Sequence, residues 1–457
     1  MNDREGTTGE IPITPTQTRI VEVIEGMRDE IVNTLSEIVK IRSISPKFPG
    51  VVYEEFLGNE GDVSRYLGKI YQEAGADPDY WEVEPQRTNV AAVYRGAGGG
   101  KSLIYNGHVD VVPPGQAEDW RSGDPFSGRI DTDRVWGRGT SDMKAGLVAQ
   151  AYALAALGRL GIRLKGDLIL EATVGEETMD HEAGVSSAIE RGYRADAAVV
   201  SEPSGPDTLA ISPLSSGMLW CDITVVGKRT HAAMRGQSIH AGGGGPDIGV
   251  NAIDKGVMIF EAIRRLEQEW VFTKTHPEFN AGHFSLLPGA IIGGTKGANA
   301  QIPFMLADYL TIDYVVWYPP NEDPEAVKAE IEAHLEAFSQ TDTWLRDNPP
   351  VVNWKQNWRA NNPGLAAENI TRALERAHEL AAVGTEFAGP ASVNGFCAVY
   401  DATFLTESGI PAISYGPGDV RMAHADDEYA LIEELITATK AFALLAVDWC
   451  ELAEPSV

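Results

Sequence analysis

The chain has 457 residues, of which 43% are hydrophobic and 23% are charged, a composition typical of a globular protein with more than one compact unit. Its formal net charge of −29 opposes binding to nucleic acid or to anionic membranes, because both attract basic patches. The charge is otherwise explained by solubility, as in a salty habitat.

Targeting signals and cysteines point to the same compartment. Residues 1–15 are polar and acidic, so we expect no signal peptide, and no apolar run approaches the roughly 20 residues that span a bilayer. The three cysteines, Cys221, Cys397 and Cys450, are far apart. This sparse, odd number predicts free structural thiols and a cytoplasmic location.

The first half of the chain alternates between helical and strand patterns. In chain order, the periodicity predicts a helix over 16–42, a helix over 61–74, strands over 90–94 and 102–105, a helix over 142–160, a strand over 167–174, a helix over 184–190 and a strand over 197–200. This alternation predicts an α/β fold with a largely parallel sheet and crossover helices.

The pattern then changes. A strand over 218–226, a helix over 248–270, strands over 282–292 and 304–317 and a helix over 324–339 follow each other. This β-α-β-β-α order predicts an inserted α+β two-layer unit. A helix over 365–381, a strand over 412–415 and a closing helix over 431–447 resume the first pattern. We therefore predict one domain from residues 1–211 and 349–457, and a second over 212–348.

Candidate metal ligands lie at the ends of these elements. Acidic and histidine side chains follow three strands, open a helix and follow a glycine turn: His108, Asp142, Glu176, Glu177, Glu202 and His424. In an open α/β sheet such positions converge on one edge. Each residue alone has an ordinary explanation on the surface or in the core, but their coincidence favours a site for Zn²⁺ or a similar divalent ion.

These motifs resemble those of the M20 metallopeptidases, which include acetylornithine deacetylase, succinyl-diaminopimelate desuccinylase, aminoacylase and glutamate carboxypeptidase. The resemblance covers nearly the whole chain. It rests on Gly107-His108-Val109-Asp110, Gly137-Arg138-Gly139 with Asp142-Met143-Lys144, Glu176-Glu177, Ser201-Glu202-Pro203, Gly416-Pro417-Gly418 and His424.

The resemblance implies a phosphorylase/hydrolase-like metallopeptidase catalytic domain, with the inserted ferredoxin-like domain as the lid and dimerisation domain of a homodimer. It also implies two Zn²⁺ ions per subunit, with Co²⁺ or Mn²⁺ as alternatives. His108 and Glu202 would hold one ion. Glu177 and His424 would hold the other, and Asp142 would bridge both.

Three further residues would serve catalysis in such an enzyme. Asp110 would hydrogen-bond His108 and fix its tautomer. Glu176 would act as the general base, taking a proton from the attacking water and passing it to the leaving nitrogen. His231 matches the lid histidine that stabilises the oxyanion, within one subunit or across a dimer. His231 is alternatively a surface residue of the lid.

Two features bear on the substrate. Glu202 followed by Pro203 resembles the deacylase and desuccinylase branch, whereas several dipeptidase-like members carry Asp there. No arginine occurs between Arg265 and Arg346, although amino-acid-specific members carry one in the lid strand to grip the α-carboxylate. Thr403 likewise stands where an arginine is common.

We therefore expect an N-formyl or N-acyl amine that is not held through an α-carboxylate, as for the formylaminopyrimidine deformylases of this family. The alternative is that Lys296 or Arg235 supplies the charge. The loop after His231 looks longer than is usual in the family, and its Arg235 and His240 are candidate substrate contacts or ordinary solvated residues. We also expect substrate contacts at Asn299, Gly395 and Gly416.

The predicted function is a metal-dependent hydrolase that removes a small acyl or formyl group from an N-acylated amine. The first alternative is a dipeptidase or carboxypeptidase-type metallo-exopeptidase of the same family. The second is a catalytically inactive M20-like binding protein, which the presence of all five ligands and Glu176 disfavours. The expected partners are a small-molecule substrate and a second copy of the chain, with no nucleic acid and no membrane.

Overall fold

A computed structural model describes residues 12–205, 207–297 and 303–454. The helices are α1 Pro15–Gly26, α2 Arg28–Val39, α3 Tyr53–Phe56, α4 Asn59–Glu73, α5 Ala145–Arg159, α6 Val185–Glu190, α7 Arg235–Ile239, α8 Ala252–Thr273, α9 Pro324–Ser339, α10 Glu368–Ala381, α11 Ala402–Glu407 and α12 Ile432–Trp449.

The strands are β1 Asp77–Glu82, β2 Thr88–Tyr94, β3 Leu103–His108, β4 Arg134–Trp136, β5 Leu168–Thr173, β6 Ala197–Val200, β7 Ile211–Ser215, β8 Gly217–Val226, β9 Leu286–Gly294, β10 Tyr309–Tyr318, β11 Val351–Trp358, β12 Val393–Phe396, β13 Ala412–Ser414 and β14 Tyr429–Leu431.

The chain folds into two compact units. The larger comprises the chain up to Leu214, Asn361–Phe396 and the residues from Tyr400 on, and the smaller comprises Ser215–Ala360 with Cys397–Val399. The sequence predicted that the chain re-enters the first domain at residue 349, but in the structure it does so later, after Ala360. The chain stays in the smaller unit because β11 pairs with β8 before the crossing at Ala360.

The larger unit contains an eight-stranded sheet in the order β1-β2-β5-β3-β6-β13-β7-β12. The expectation of a largely parallel sheet holds only for its centre, where β5, β3, β6 and β13 run parallel. β2 pairs antiparallel with both β1 and β5, and β7 pairs antiparallel with β13. The sheet is therefore mixed, because the short β1–β2 connection forms an antiparallel hairpin.

One face of this sheet forms the main core. Alternate residues of β3, such as Leu103 and Tyr105, pack into a cluster with the apolar faces of α5 and α12. The Tyr105 hydroxyl donates a hydrogen bond of 2.5 Å to the backbone oxygen of Phe442 in α12. The single helix expected over 16–42 is two helices, which are interrupted at Met27 directly after Gly26.

The smaller unit is a two-layer structure with a four-stranded antiparallel sheet in the order β11-β8-β10-β9. The predicted β-α-β-β-α sequence of elements is present as β8, α8, β9, β10 and α9, followed by β11. Alternate side chains of β10 are buried in a core formed with α8 and α9. Across the described ranges, none of the helices has the length and apolar character needed to cross a membrane.

Candidate metal centre and active site

Three neighbouring parallel strands bring acidic and histidine side chains to one edge of the larger sheet. His108 is the last residue of β3 and pairs in register with Thr173, the last residue of β5. Glu176 and Glu177 lie in the turn after β5, and Glu202 follows β6. The carboxyl ends of parallel strands meet at a common edge, so the topology itself gathers these groups.

Asp142 lies between the two histidines. Its Oδ1 is 3.0 Å from Nε2 of His108, and its Oδ2 is 3.4 Å from Nε2 of His424. The expectation that Asp142 opens a helix was wrong. Its backbone is extended (φ −119°, ψ 95°), and α5 begins only at Ala145.

Each histidine also faces glutamates. Nε2 of His424 is 3.0 Å from Oε2 of Glu177. Nε2 of His108 is 3.8 Å from both Oε2 of Glu176 and Oε1 of Glu202. His424 reaches this position from a loop in which it has φ +60°, a left-handed conformation that is uncommon for residues other than glycine.

The donor set fits divalent metal ions. One ligand atom from each of His108, Asp142 and Glu177 lies within 4.8 Å of the other two. Oε1 of Glu177 and Oε1 of Glu202 are buried without a hydrogen-bond partner in the described part of the chain. Unpaired buried oxygens are costly, and a cation would satisfy them. Imidazole and carboxylate ligands together suit zinc and related ions.

Burial sets the protonation of the carboxyl groups here. It raises the pKa of Glu176 well above its ordinary value, His108 opposes this shift, and the charges of Glu202 and Glu177 add to it. Burial likewise raises the pKa of Glu202 well above the ordinary range. A glutamate of this kind holds a proton more readily than one in water, as a general base that later returns its proton must.

Asp110 contacts the site differently from the sequence expectation. Nδ1 of His108 lies 2.9 Å from the backbone oxygen of Asp110, whereas the nearest carboxylate oxygen is 3.7 Å away. The carboxylate instead accepts hydrogen bonds from the backbone N–H groups of Gly175 at 2.9 Å and Glu177 at 3.2 Å. Asp110 therefore orients His108 through its main chain and holds the glutamate turn through its side chain.

Three further expected site residues belong to the smaller unit. His231 is exposed in the smaller unit, and its Nδ1 accepts a hydrogen bond of 3.1 Å from the N–H of Ala233. Arg235 forms an ion pair with Asp254, and His240 is exposed after α7. Asn299 lies outside the described residues.

The two expected glycine contacts belong to the larger unit. Gly395 is buried within β12. A Cβ atom on Gly416 would lie 2.5 Å from the backbone oxygen of Glu202, which is too close for any side chain. Gly416 is therefore required where the chain after β13 passes the backbone at the end of β6.

Asp401 was not identified as a site residue from the sequence. Its segment was considered there only because Thr403 stands where an arginine is common. Asp401 is buried directly before α11, and its Oδ1 has no partner among the described residues. Burial raises its pKa to about 7, His108 opposes the shift and Asp110 adds to it.

Comparison with known proteins identifies the family. Residues 104–448 match the model of "Peptidase family M20/M25/M40", so the chain belongs to this family. The chain is 33% identical to N-formyl-4-amino-5-aminomethyl-2-methylpyrimidine deformylase of Halalkalibacterium halodurans over 86% of this chain and 90% of the relative. It is 31% identical to the Bacillus subtilis deformylase of the same name over 93% and 96%.

A solved structure shows the same fold. The crystal structure of human carnosine dipeptidase 1 aligns with 96% of this chain and over 100% of its own length. The TM-score is 0.72 and the sequence identity is 17%. The expected fold class is therefore confirmed, a mixed α/β sheet domain with a separate antiparallel-sheet domain. The broader part of the expected enzyme class is confirmed as well, since the chain is a hydrolase of the M20 family.

Replacing Asp110 with Ala tests how the glutamate turn is held. The variant loses the bonds to Gly175 and Glu177 but keeps the backbone oxygen beside His108, so only the turn should loosen. We expect Zn²⁺ affinity, measured by calorimetry on metal-free protein, to fall by about 10–100-fold. The Zn²⁺ affinity of Asp110→Asn should fall less, because this variant keeps one acceptor oxygen. Asp448→Asn, at a carboxylate that contacts Gln17 instead, should bind as the wild type does. Unchanged affinity in Asp110→Ala would contradict this role.

Proposed function

We propose that this chain is a dinuclear zinc amidohydrolase that removes a formyl or another small acyl group from the nitrogen of a small cytoplasmic molecule. The observation that carries the proposal is the position of Asp142, whose two oxygens face two different histidines. A carboxylate in this position is suited to bridging a pair of cations. The two deformylase relatives support the choice of a formyl group.

The residues divide into two ligand groups around Asp142. His108 and Glu202 would hold one ion, and Glu177 and His424 would hold the other. Zn²⁺ suits this set, and Co²⁺ or Mn²⁺ are alternatives. When bound, two such metal ions would lower the pKa of a water molecule and polarise the substrate carbonyl.

Glu176 is the proposed general base. It lies beside His108 and has a raised pKa, which suits a carboxylate that accepts a proton and then gives it up. Glu176 takes one proton from the water that attacks the acyl carbon. It then delivers that proton to the amide nitrogen as the C–N bond breaks. The products are the free carboxylic acid and the amine.

His231 is the proposed oxyanion donor, either from its own subunit or from the partner in a dimer. Because Nδ1 accepts the N–H of Ala233, the neutral imidazole carries its proton on Nε2. That proton lies on the opposite side of the ring from the bond to Ala233 and has no hydrogen-bond acceptor among the described residues, so it can stabilise the negative charge that develops on the carbonyl oxygen.

The smaller unit supports a substrate without a required α-carboxylate. In β10, Tyr314 is buried in the core, while Thr311, Asp313, Val315 and Trp317 occupy the other face without an arginine. The cation on that face, Lys355, is already paired with Asp222 and Asp313. Arg235, an alternative source of positive charge, is paired with Asp254. A substrate carboxylate would find no free partner among these cations.

We also propose a homodimer formed through the smaller unit. β9 is an edge strand of its sheet and exposes the apolar side chains of Leu287, Ile291 and Ile292, each more than half exposed. An exposed apolar edge strand pairs readily with another chain. A second copy can supply the same strand, as a two-fold symmetric interface requires.

A hydrolysis screen tests the activity. Substrates would carry N-formyl, N-acetyl or N-succinyl groups, each on an amine with and without an α-carboxylate, and a dipeptide would complete the set. We expect the highest kcat/KM for an N-formyl amine and no requirement for the carboxylate. Faster hydrolysis of the dipeptide would favour the exopeptidase alternative, and a strict carboxylate requirement would refute the proposed substrate class.

Two substitutions separate catalysis from metal binding. Glu176→Gln removes the base and should lower kcat by about 10²–10⁴-fold. His231→Ala removes the oxyanion donor and should lower kcat by about 10²–10³-fold. Both variants should retain the metal content of the wild type in elemental analysis. Glu182→Gln changes an exposed carboxylate near the turn and serves as the control. A variant of Glu176 within tenfold of wild-type kcat would exclude the proposed role.

The dimer is tested at its apolar edge. Sedimentation should give the wild type about twice the chain mass of 49.3 kDa. Ile291→Asp places a charge in the proposed interface and should give a monomer with unchanged secondary structure. Val383→Asp, at an exposed apolar residue of the larger unit, should leave the dimer intact. A monomeric wild type, or a dimeric Ile291→Asp variant, would count against this interface.

A further inference from the structure

Glu428 is a fully buried carboxylate bound to the segment that carries Asp142. Its Oε1 accepts the backbone N–H of Ser141 at 2.8 Å and of Asp142 at 3.1 Å. Its Oε2 accepts the N–H of Gly139 at 3.1 Å and a hydrogen bond from the guanidinium of Arg138. One side chain therefore satisfies three backbone donors of a single turn.

The same residue belongs to the segment that carries His424, four positions earlier. The backbone oxygen of Glu428 accepts the N–H of Gly137 at 2.8 Å, and the oxygen of Tyr429 accepts the Ser141 hydroxyl at 2.9 Å. Beyond them, β14 pairs with β4. The two segments are thus joined by side-chain and backbone bonds close to both Asp142 and His424.

The negative charge of Glu428 is compensated locally. Arg138 is buried as well, and its guanidinium lies 5.4 Å from the centre of the Trp120 ring. A buried carboxylate is retained when an opposite charge and hydrogen-bond donors surround it, and both are present here. Among the described residues, the side chains of Glu428 and Arg138 contact a proposed metal ligand through the hydrogen bond from the N–H of Asp142 to Glu428.

We propose that Glu428 is a positioning residue that places Asp142 between the two metal ions. Asp142 lies before α5 and has an extended backbone, so regular helical φ and ψ do not set its position and a further restraint is needed. The bond from its N–H to Glu428 supplies that restraint. Because Glu428 follows His424 in the same segment, it also fixes the distance between Asp142 and His424. This inference rests on the proposed dinuclear site.

The test uses two variants and a control on metal-free protein. Glu428→Gln removes the negative charge. It also places an amide NH2 group, which cannot accept a hydrogen bond, against the donors of Gly139 and Arg138. The double variant Glu428→Leu with Arg138→Met preserves buried volume and leaves no unpaired buried charge. We therefore expect this variant to fold. Glu434→Gln is the control, since the Glu434 carboxylate accepts the N–H of Gly418 and not of the Asp142 turn.

Two measurements follow. Titration with Co²⁺, monitored by calorimetry and visible absorption, should show two ions in the wild type and the control. In both Glu428 variants the affinity for the second ion should fall by about 10–100-fold, because the shared ligand is displaced. Hydrogen exchange should accelerate by about tenfold or more over residues 139–142, while residues 147–157 in α5 keep their protection.

The outcomes separate this inference from the proposed function. A wild type that takes up fewer than two ions contradicts the dinuclear site, and the exchange over residues 139–142 then still decides the role of Glu428. Two ions bound with wild-type affinity by both Glu428 variants would overturn the inference alone. Unchanged exchange over residues 139–142, or faster exchange throughout α5, would also overturn it, the latter by showing a general structural role.

Discussion

The mutual repulsion of buried acidic groups at the carboxyl edge of β3, β5 and β6 is the constraint that this fold has to meet. Burial raises the pKa of Glu176 and Glu202 well above ordinary values, and that of Asp401 to about 7. Burying several carboxylates together is costly unless cations compensate them. The fold must therefore hold these side chains close while leaving their oxygens free for ligands.

The structure meets this requirement by anchoring the turns instead of the ligand atoms. The carboxylate of Asp110 holds the turn after β5 through its backbone N–H groups. The far end of that turn is fixed at Asp180, which accepts a hydrogen bond of 2.6 Å from the fully buried Arg87. Glu428 holds the Asp142 segment in the same manner. The turn after β5 and the Asp142 segment each have their own support, so their positions do not depend on hydrogen bonds of the ligand oxygens.

This division explains what could be predicted from the sequence. Central elements such as β3, β5 and α5 bury regular apolar faces, and their patterns predicted them. β11 was missed, because most of its residues are polar or exposed and only Val352 and Trp354 pack partly buried against the core, so its pairing with β8 defines it as a strand. The proposed metal ligands could be named from the sequence because they lie in local motifs. Glu428 could not, because its partner Asp142 is 286 positions away in the sequence.

The absence of an arginine from β10 has to be judged by the two faces of the strand, because side chains alternate between them. Tyr314 lies in the core of the smaller unit, so an arginine at that position would be buried without a carboxylate and could not serve a substrate. The absence of arginine is informative only at the half-buried residues on the opposite face. There Lys355 is the cation, and two aspartates already neutralise it. A carboxylate that approached Lys355 would have to compete with Asp222 and Asp313, whereas a neutral amide would leave both ion pairs intact.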